Sequence, residues 1–393
     1  MIQQQQVEVC GLEFTFTIES SNGLPLDISL AAEPATNLPD TYLVRFNAQA
    51  RTGEPFTVRD LSIGWSTPAI DMHGFYAGPP APDELAKLPY WWLCKQACAN
   101  TGFPFIALFH RGGDNRFAFG LLDQLTETAL DGELSEATRA YGFHWHKPIG
   151  QANVIAQQWQ EALFVSAARR PWPDVLRAYA QTVDREWPQP RLPVPDYAYD
   201  PVFCTWTAIH HDVSQEWVLR NARLAAGLGF GTWLTDDGWF TGQASFADYR
   251  YTGDWEAYQP KFPDFAEQVR AVQALGLRYV LWVAPFMVGD ASRAARRHAH
   301  LLAEATTPRR FRNLSPRRAE TCQVVSDLLE RLMRDYELDG LKIDFIDSIA
   351  FDNPMATDTD YRTLGEGIYD ILSAAIDRIQ AIKPGALIEF RNT

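Results

Sequence analysis

Apolar positions along the chain fall into two regimes. Up to about residue 165 they recur in short alternating or continuous runs: EVCGLEFTFTIES, TYLVRFNAQA, PFIALFHR, RFAFGLL and ANVIAQQWQEALFVSA. Alternation places one strand face in a core and the other in water. The clusters SSNGLP, RTGEP and RGGDN punctuate the runs, as turns between strands do. An antiparallel β-sandwich is the natural closure for this pattern. One long irregular stretch interrupts it, from Gly64 to Trp92; connections of that length are commonly functional or interface-forming.

A helical spacing follows in PWPDVLRAYAQTVDREW, with Val175, Leu176, Tyr179 and Val183 on one face and Pro171 and Pro173 at its start. PQPRLPVPDYAYDP then reads as an extended, proline-rich linker. These signals divide the chain into a sandwich with its following helix at 1–185, a linker at 186–200 and an α/β domain at 201–393.

Beyond Pro201, strand-like and helix-like segments alternate. VFCTW, GTWLTDD, RYVLWVAPF, DGLKIDF and ALIEFR are the strands; helices are predicted near 214–228, 263–275, up to 337, and 361–382. Four βα units and a fifth strand imply a parallel sheet with helical crossovers. A doubly wound sheet and a (β/α)8 barrel both qualify. Polar or aromatic groups cluster at strand C-terminal ends (Trp206, Asp236 with Asp237, Asp344, Arg391), and the first turn, TAIHHDVS, lacks a glycine-rich phosphate loop. Both points favour the TIM-type barrel. A closed barrel needs eight strands, and about five lie here. The expectation is therefore a fragment of a longer protein, with a half-barrel completed by a partner chain as the alternative.

Composition removes several function classes. A formal net charge of −14 opposes a polyanionic partner, since nucleic-acid binders gather Lys and Arg; the RRFR run (Arg309, Arg310, Arg312) reads as a solvated loop. Five cysteines (Cys10, Cys94, Cys98, Cys204, Cys322) form no disulfide framework. The Cys94/Cys98 pair lacks the second cluster that a zinc site wants. MIQQQQVEVCGLEF carries no secretion signal and no run is long enough for a membrane helix, so a reducing cytoplasm is expected. The 13 Trp, 14 Tyr and 23 Phe suit broad cores or a groove that stacks on flat ligands such as sugars.

The charged strand LDGLKIDFID poses the main chemical question. Lys342 and Asp344 are two residues apart and so share a face, while Leu341, Ile343 and Phe345 point towards the helices. A cation beside Asp344 favours its ionised form, and an ionised carboxylate at a strand end can act as a nucleophile. A structural ion pair is the alternative. WLTDDGWF adds two adjacent carboxylates at a strand end. Such a pair accepts hydrogen bonds only, which suits a hydroxyl-rich ligand, and Trp239 and Trp206 offer apolar faces to a sugar ring. A helix N-cap is the alternative for these aspartates. His210 and His211 are adjacent, which disfavours shared ligation of a metal; they are placed at the mouth of the first βα loop. His144 and His146 read as half-exposed strand residues.

WLTDDGWF, followed about a hundred residues later by DGLKIDFID, resembles the α-galactosidase (melibiase) group of glycoside hydrolases, which has raffinose synthases and α-N-acetylgalactosaminidases as relatives. VFCTWTAIHHDVS, VLWVAPFMVGDAS and LIEFR fit the same pattern, and the N-terminal sandwich fits the larger bacterial type. The resemblance implies Asp344 as catalytic nucleophile. It implies Asp236 and Asp237 as the pair that binds the O4 and O6 hydroxyls, and Lys342 as a contact to ring hydroxyls. Trp206 becomes an aromatic wall, Trp282 a further substrate contact, and Arg391 a residue lining the site with Glu389 in support. No cofactor or metal is implied. The substrate would be an α-galactoside or related oligosaccharide, and a homo-oligomer is conceivable. The family's acid/base aspartate lies on a later strand. Asp347 is a poor substitute, because its parity sets it opposite Asp344.

The implied activity is a retaining exo-acting α-galactosidase. Its rivals are a galactosyl transglycosidase, an α-N-acetylgalactosaminidase, a non-catalytic sugar-binding protein, and a purely structural ion-pair network.

Overall fold

A computed structural model describes residues 1–20, 23–35, 38–77, 86–87, 92–97, 101–147, 154–242, 246–303, 310–349 and 359–391. Its N-terminal part contains two seven-stranded antiparallel sheets. The strand Leu12–Ser20 shows how they meet. Its odd-even alternation buries Phe14, Phe16 and Ile18, and these side chains face the second sheet. Phe16 stacks on Phe46 at 5.4 Å and Phe14 meets Phe119 edge-on at 6.0 Å. One core thus serves both sheets. The outer face of the second sheet is covered by the helix Trp172–Glu186, which inserts Val175, Ala178 and Tyr179. Gly120 makes room there, since a Cβ would stand 2.4 Å from the Tyr179 ring. Each fully buried side chain of this size contributes roughly 1.5–3 kcal/mol.

Two expectations change in this region. Gly64–Pro68 is not irregular but completes the strand Phe56–Pro68, and Gly74–Ala77 and Ala86–Lys87 are short strands of the second sheet. The alternation Ile63, Trp65, Thr67, all buried, continues through the glycine and was masked by it and by Pro68. Residues 78–85 and 88–91 of the stretch lie outside the described residues, as does Cys98, and Trp92 begins the strand Trp92–Ala97. Secondly, Phe311–Asn313 pairs with Met287–Gly289 instead of looping freely. Phe311 gives the segment an apolar anchor against Tyr249, centroids 6.0 Å apart; Arg309 is outside the described residues.

The proline-rich segment is held against the second half of the chain. The Trp187 ring lies 5.5 Å from that of Tyr369, the Tyr197 hydroxyl donates to the Gly385 carbonyl, and Arg278 sits 3.8 Å over the Tyr197 ring. The second half is a curled parallel sheet of five described strands: Val202–Cys204, Thr232–Thr235, Arg278–Val283, Gly340–Ile343 and Leu387–Phe390. They lie side by side in chain order. A doubly wound sheet would reverse direction at a switch point; this one does not. Helices Gln215–Gly227, Phe265–Gln273, Ala319–Asp335 and Leu364–Ile382 provide crossovers. Ser214 and Asp264 cap the first two with side-chain oxygens, and Thr363 with Glu366 forms a capping box on the last, satisfying amides that a helix start leaves open. Leu341 and Ile343 are fully buried in the core these helices close. Among the described residues, no helix is long and apolar enough to cross a membrane.

Candidate active site

The C-terminal ends of the five strands converge on one cluster of charges. Asp344 follows the strand Gly340–Ile343 directly, and Phe345 adopts a left-handed conformation with φ 57°. The chain therefore turns at the carboxylate. Three donors orient it. The Phe345 amide donates to Oδ1 at 2.7 Å, Trp282 Nε1 to Oδ2 at 2.8 Å, and Arg391 Nη1 lies 3.2 Å from Oδ2 and 3.4 Å from Oδ1.

Lys342 shares the inner face with Asp344, as parity requires, but it reaches sideways. Its Nζ bonds Asp236 Oδ2 at 2.7 Å and lies 3.9 Å from the Glu389 carboxylate. The cation touching Asp344 is Arg391, not Lys342. Trp282, Lys342 and Glu389 are register partners across three neighbouring strands, and a lysine stem is long enough to cross to the second strand. Burial alone would lower the Lys342 pKa. The hydrogen bond and charge of Asp236 outweigh it, so the ammonium titrates above its ordinary value. Glu389 is raised, chiefly by burial, with Lys342 opposing.

Asp236 is anchored on every side. Its amide donates to Thr205 Oγ1 at 2.9 Å, and its Oδ1 accepts the Asp237 amide at 2.9 Å. Its Oδ2 takes Cys204 Sγ at 3.4 Å beside Lys342. Burial, and then the Asp236 charge, push the Cys204 thiol up to about 11. Neither aspartate caps a helix; that task falls to Ser214 and Asp264.

Asp237 differs from its neighbour. It is 2% exposed, and its carboxylate meets two side chains, the Tyr249 phenol and the His211 imidazole. His211 Nε2 stands 3.3 Å from Oδ2. The Tyr249 phenol is pushed upward by burial and next by Asp237, which places it beside the same carboxylate. A carboxylate offers about four acceptor sites, so beyond Tyr249 and His211 this one can still accept from hydroxyl groups.

Three aromatic expectations resolve differently. Trp206 is half-buried at the start of the short helix Trp206–Ile209, its ring against His210 and His211 at 4.6 and 5.0 Å. Trp239 is 0% exposed, packs on Trp255 and Phe265, and donates Nε1 to the Trp282 carbonyl; it is a core residue and shows no face to a ligand. Its large apolar area outweighs the pull of the neighbouring glycine turn towards the mouth. Trp282 is 1% exposed and sits beneath Asp344 as a hydrogen-bond donor. Tyr249 had no signal in the sequence, because the segment around it carries no clear period. Asp347 is half-buried on the turn beyond Phe345. His211 was placed at the loop mouth; the structure brings it to Asp237. A cleft of about 470 Å³ opens at the opposite ends of the strands, lined by Arg278, Asp339 and Lys383 among others. Its Asp339 is consumed by the Tyr279 amide and Lys383, so the chemistry does not lie there.

Residues 196–383 match the family model described as Melibiase. The α-galactosidase AgaA of Geobacillus stearothermophilus is 37% identical over 94 residues, which is 24% of this chain and 13% of that protein. The α-galactosidase of Escherichia coli is 32% identical over 95 residues, 24% of this chain and 13% of that protein. A crystal structure of AgaA in complex with raffinose superposes with a TM-score of 0.61 at 18% identity, over 99% of this chain and 58% of that one. An α-galactosidase from Thermus thermophilus, in complex with p-nitrophenyl α-D-galactopyranoside, gives 0.59 at 18% identity, over 99% and 70%. The structural likeness speaks for the fold, and the chain spans little more than half of the AgaA chain.

Proposed function

Since the chain belongs, through residues 196–383, to the melibiase group, we propose that it carries the sugar-holding wall and the nucleophile of a retaining, exo-acting α-galactosidase. The sheet would form part of a closed (β/α)8 barrel beside an N-terminal β-sandwich. Asp344 attacks the anomeric carbon and forms a covalent glycosyl-enzyme. A second carboxyl group, roughly 5–5.5 Å away in such enzymes, protonates the leaving oxygen and then activates water. None of the described residues is assigned that role.

The observation that carries the reading is the contrast between three carboxylates within one cluster. Asp344 is held by three donors in one orientation, as a nucleophile must be if its attack is to be in line. Asp236 is fixed by Lys342. Asp237 meets Tyr249 and His211 and keeps further lone pairs, which hydroxyls of a terminal galactose would fill. Lys342 and Arg391 supply donors to the ring, and Trp206 an apolar edge. No cofactor enters the mechanism.

The test is Asp344→Ala in the native full-length polypeptide, assayed with an aryl α-galactoside. Turnover should be lost, and galactose should still bind. Undiminished turnover would remove Asp344 from the mechanism.

A further inference from the structure

His211 and Asp237 come from different loops yet meet at one buried point, Nε2 to Oδ2 at 3.3 Å, with the residues 6% and 2% exposed. The imidazole is wedged. The Trp206 ring stands edge-on to it at 5.0 Å. Its backbone is pinned too: Lys261 Nζ donates to the His211 carbonyl at 2.8 Å and to the Gly238 carbonyl at 3.2 Å. Gly238, at φ 99°, lets the two loops touch; a Cβ there would stand 2.7 Å from His211 Cα. The clamp holds the His211 backbone beside Asp237, and the Trp206 edge borders its ring.

Asp237 needs such a neighbour. Its amide is tied to Asp236 Oδ1, and its carboxylate meets the Tyr249 phenol and His211 in place of the backbone amide, indole and guanidinium that fix Asp344. A carboxylate on a two-torsion side chain can rotate, and the sugar it recognises would then meet no defined acceptor.

We infer that His211 is a positioning residue for sugar recognition: its imidazole holds Asp237 Oδ2, so that Oδ1 presents a fixed acceptor to a hydroxyl of the terminal sugar. This rests on the galactoside reading above. The Asp237–hydroxyl bond exists in both the bound ground state and the transition state, so loss of its alignment acts on affinity. KM should rise while kcat stays. The hydroxyl concerned is O4 or O6, the two that the aspartate pair would share, so His211 also sets selectivity at that position.

His211→Phe keeps the ring volume against Trp206 and removes the donor; His211→Gln restores an N–H near the Nε2 position. The assays use the full-length protein with an aryl α-galactoside and its 4-deoxy and 6-deoxy analogues, and titration calorimetry with galactose. For His211→Phe, KM and the galactose dissociation constant should rise about tenfold to hundredfold, with kcat changed by less than about threefold. The preference over at least one deoxy analogue should shrink by a similar factor, and His211→Gln should recover most of both effects. An unchanged KM in folded His211→Phe, a loss confined to kcat, or a His211→Gln variant no better than the phenylalanine would each overturn the inference. If His211→Phe does not fold, Lys261→Met releases the same loop and is judged by the same KM and selectivity readout. A wild-type protein that neither binds galactose nor cleaves the glycoside would overturn the galactoside reading itself, which is a distinct outcome.

Discussion

Lys342→Met isolates the interaction on which the sugar-holding wall depends. At 2.7 Å the ammonium and the Asp236 carboxylate are in contact. An effective dielectric of about 20 gives them a Coulomb attraction of roughly 6 kcal/mol, much of it offset by the cost of taking both ions from water. Removal of one partner is worse than never having built the pair, because a buried charge remains. That penalty runs about 3–5 kcal/mol. Asp236 keeps the Asp237 amide and Cys204 as partners, so about 3 kcal/mol is expected. For a domain of roughly 200 residues this lowers the melting temperature by about 6–12 °C. Trp233, Trp239, Trp255 and Trp282 are fully buried in that core, so tryptophan fluorescence reports its melting. Adding Asp236→Asn removes the stranded charge and should return at least half of the loss. The pH dependence has a definite sign. The Lys342 pKa is raised on folding above its ordinary 10.5, so its contribution is complete below that value and disappears as pH climbs through the folded pKa. The wild-type advantage over Lys342→Met should be constant near neutrality and shrink above about pH 10.5. A single variant that melts within about 2 °C of wild type at pH 7, where about 3 kcal/mol was expected, or a double variant less stable than the single, would refute the reasoning.

Other perturbations follow from the same contacts. Trp282→Phe keeps an aromatic ring, though a smaller one, and removes the donor to Asp344 Oδ2; kcat/KM for an aryl α-galactoside should fall about tenfold, and an unchanged value would mean that Asp344 is oriented without it. Gly238→Ala sets a Cβ 2.7 Å from His211 Cα at φ 99°. Strain and displacement together should cost about 2–4 kcal/mol, read as a lower melting temperature and a raised KM, and a variant with wild-type melting would show that the loops separate freely. Cys204, with its thiol pushed up to about 11, should be alkylated by iodoacetamide at pH 8 about a hundredfold more slowly than an unperturbed thiol. Galactose should slow it further; mass spectrometry of the modified peptide measures both.

Much of this arrangement is legible in the chain because period and punctuation are local. Phe14, Phe16 and Ile18 announce a half-buried strand by alternation alone, and the helices expected near 214–228 and 361–382 are found at Gln215–Gly227 and Leu364–Ile382. Parity correctly turns Lys342 inward. It says nothing about which neighbour a long side chain will choose. The choice was settled by register, which sets Lys342 beside Trp282 and Glu389 and leaves Asp236 within reach while Arg391 takes Asp344. Nor can a local pattern tell a tryptophan at a pocket mouth from one beneath it. Trp206 and Trp239 both stand beside turn-forming residues, yet one borders the mouth and the other fills the core, because the chain leaves the second strand into a closed aromatic cluster and leaves the first into a short helix. His211 is the sharpest case. In sequence it is one of two adjacent histidines in a loop. Its meaning comes from a carboxylate 26 positions away, a lysine 50 positions away and a glycine that lets two backbones touch. Residues that do chemistry with their own functional groups leave a mark in composition and spacing. Residues that hold those groups in place act through contacts made only when the loops close, and so the support of a site is less legible than the site.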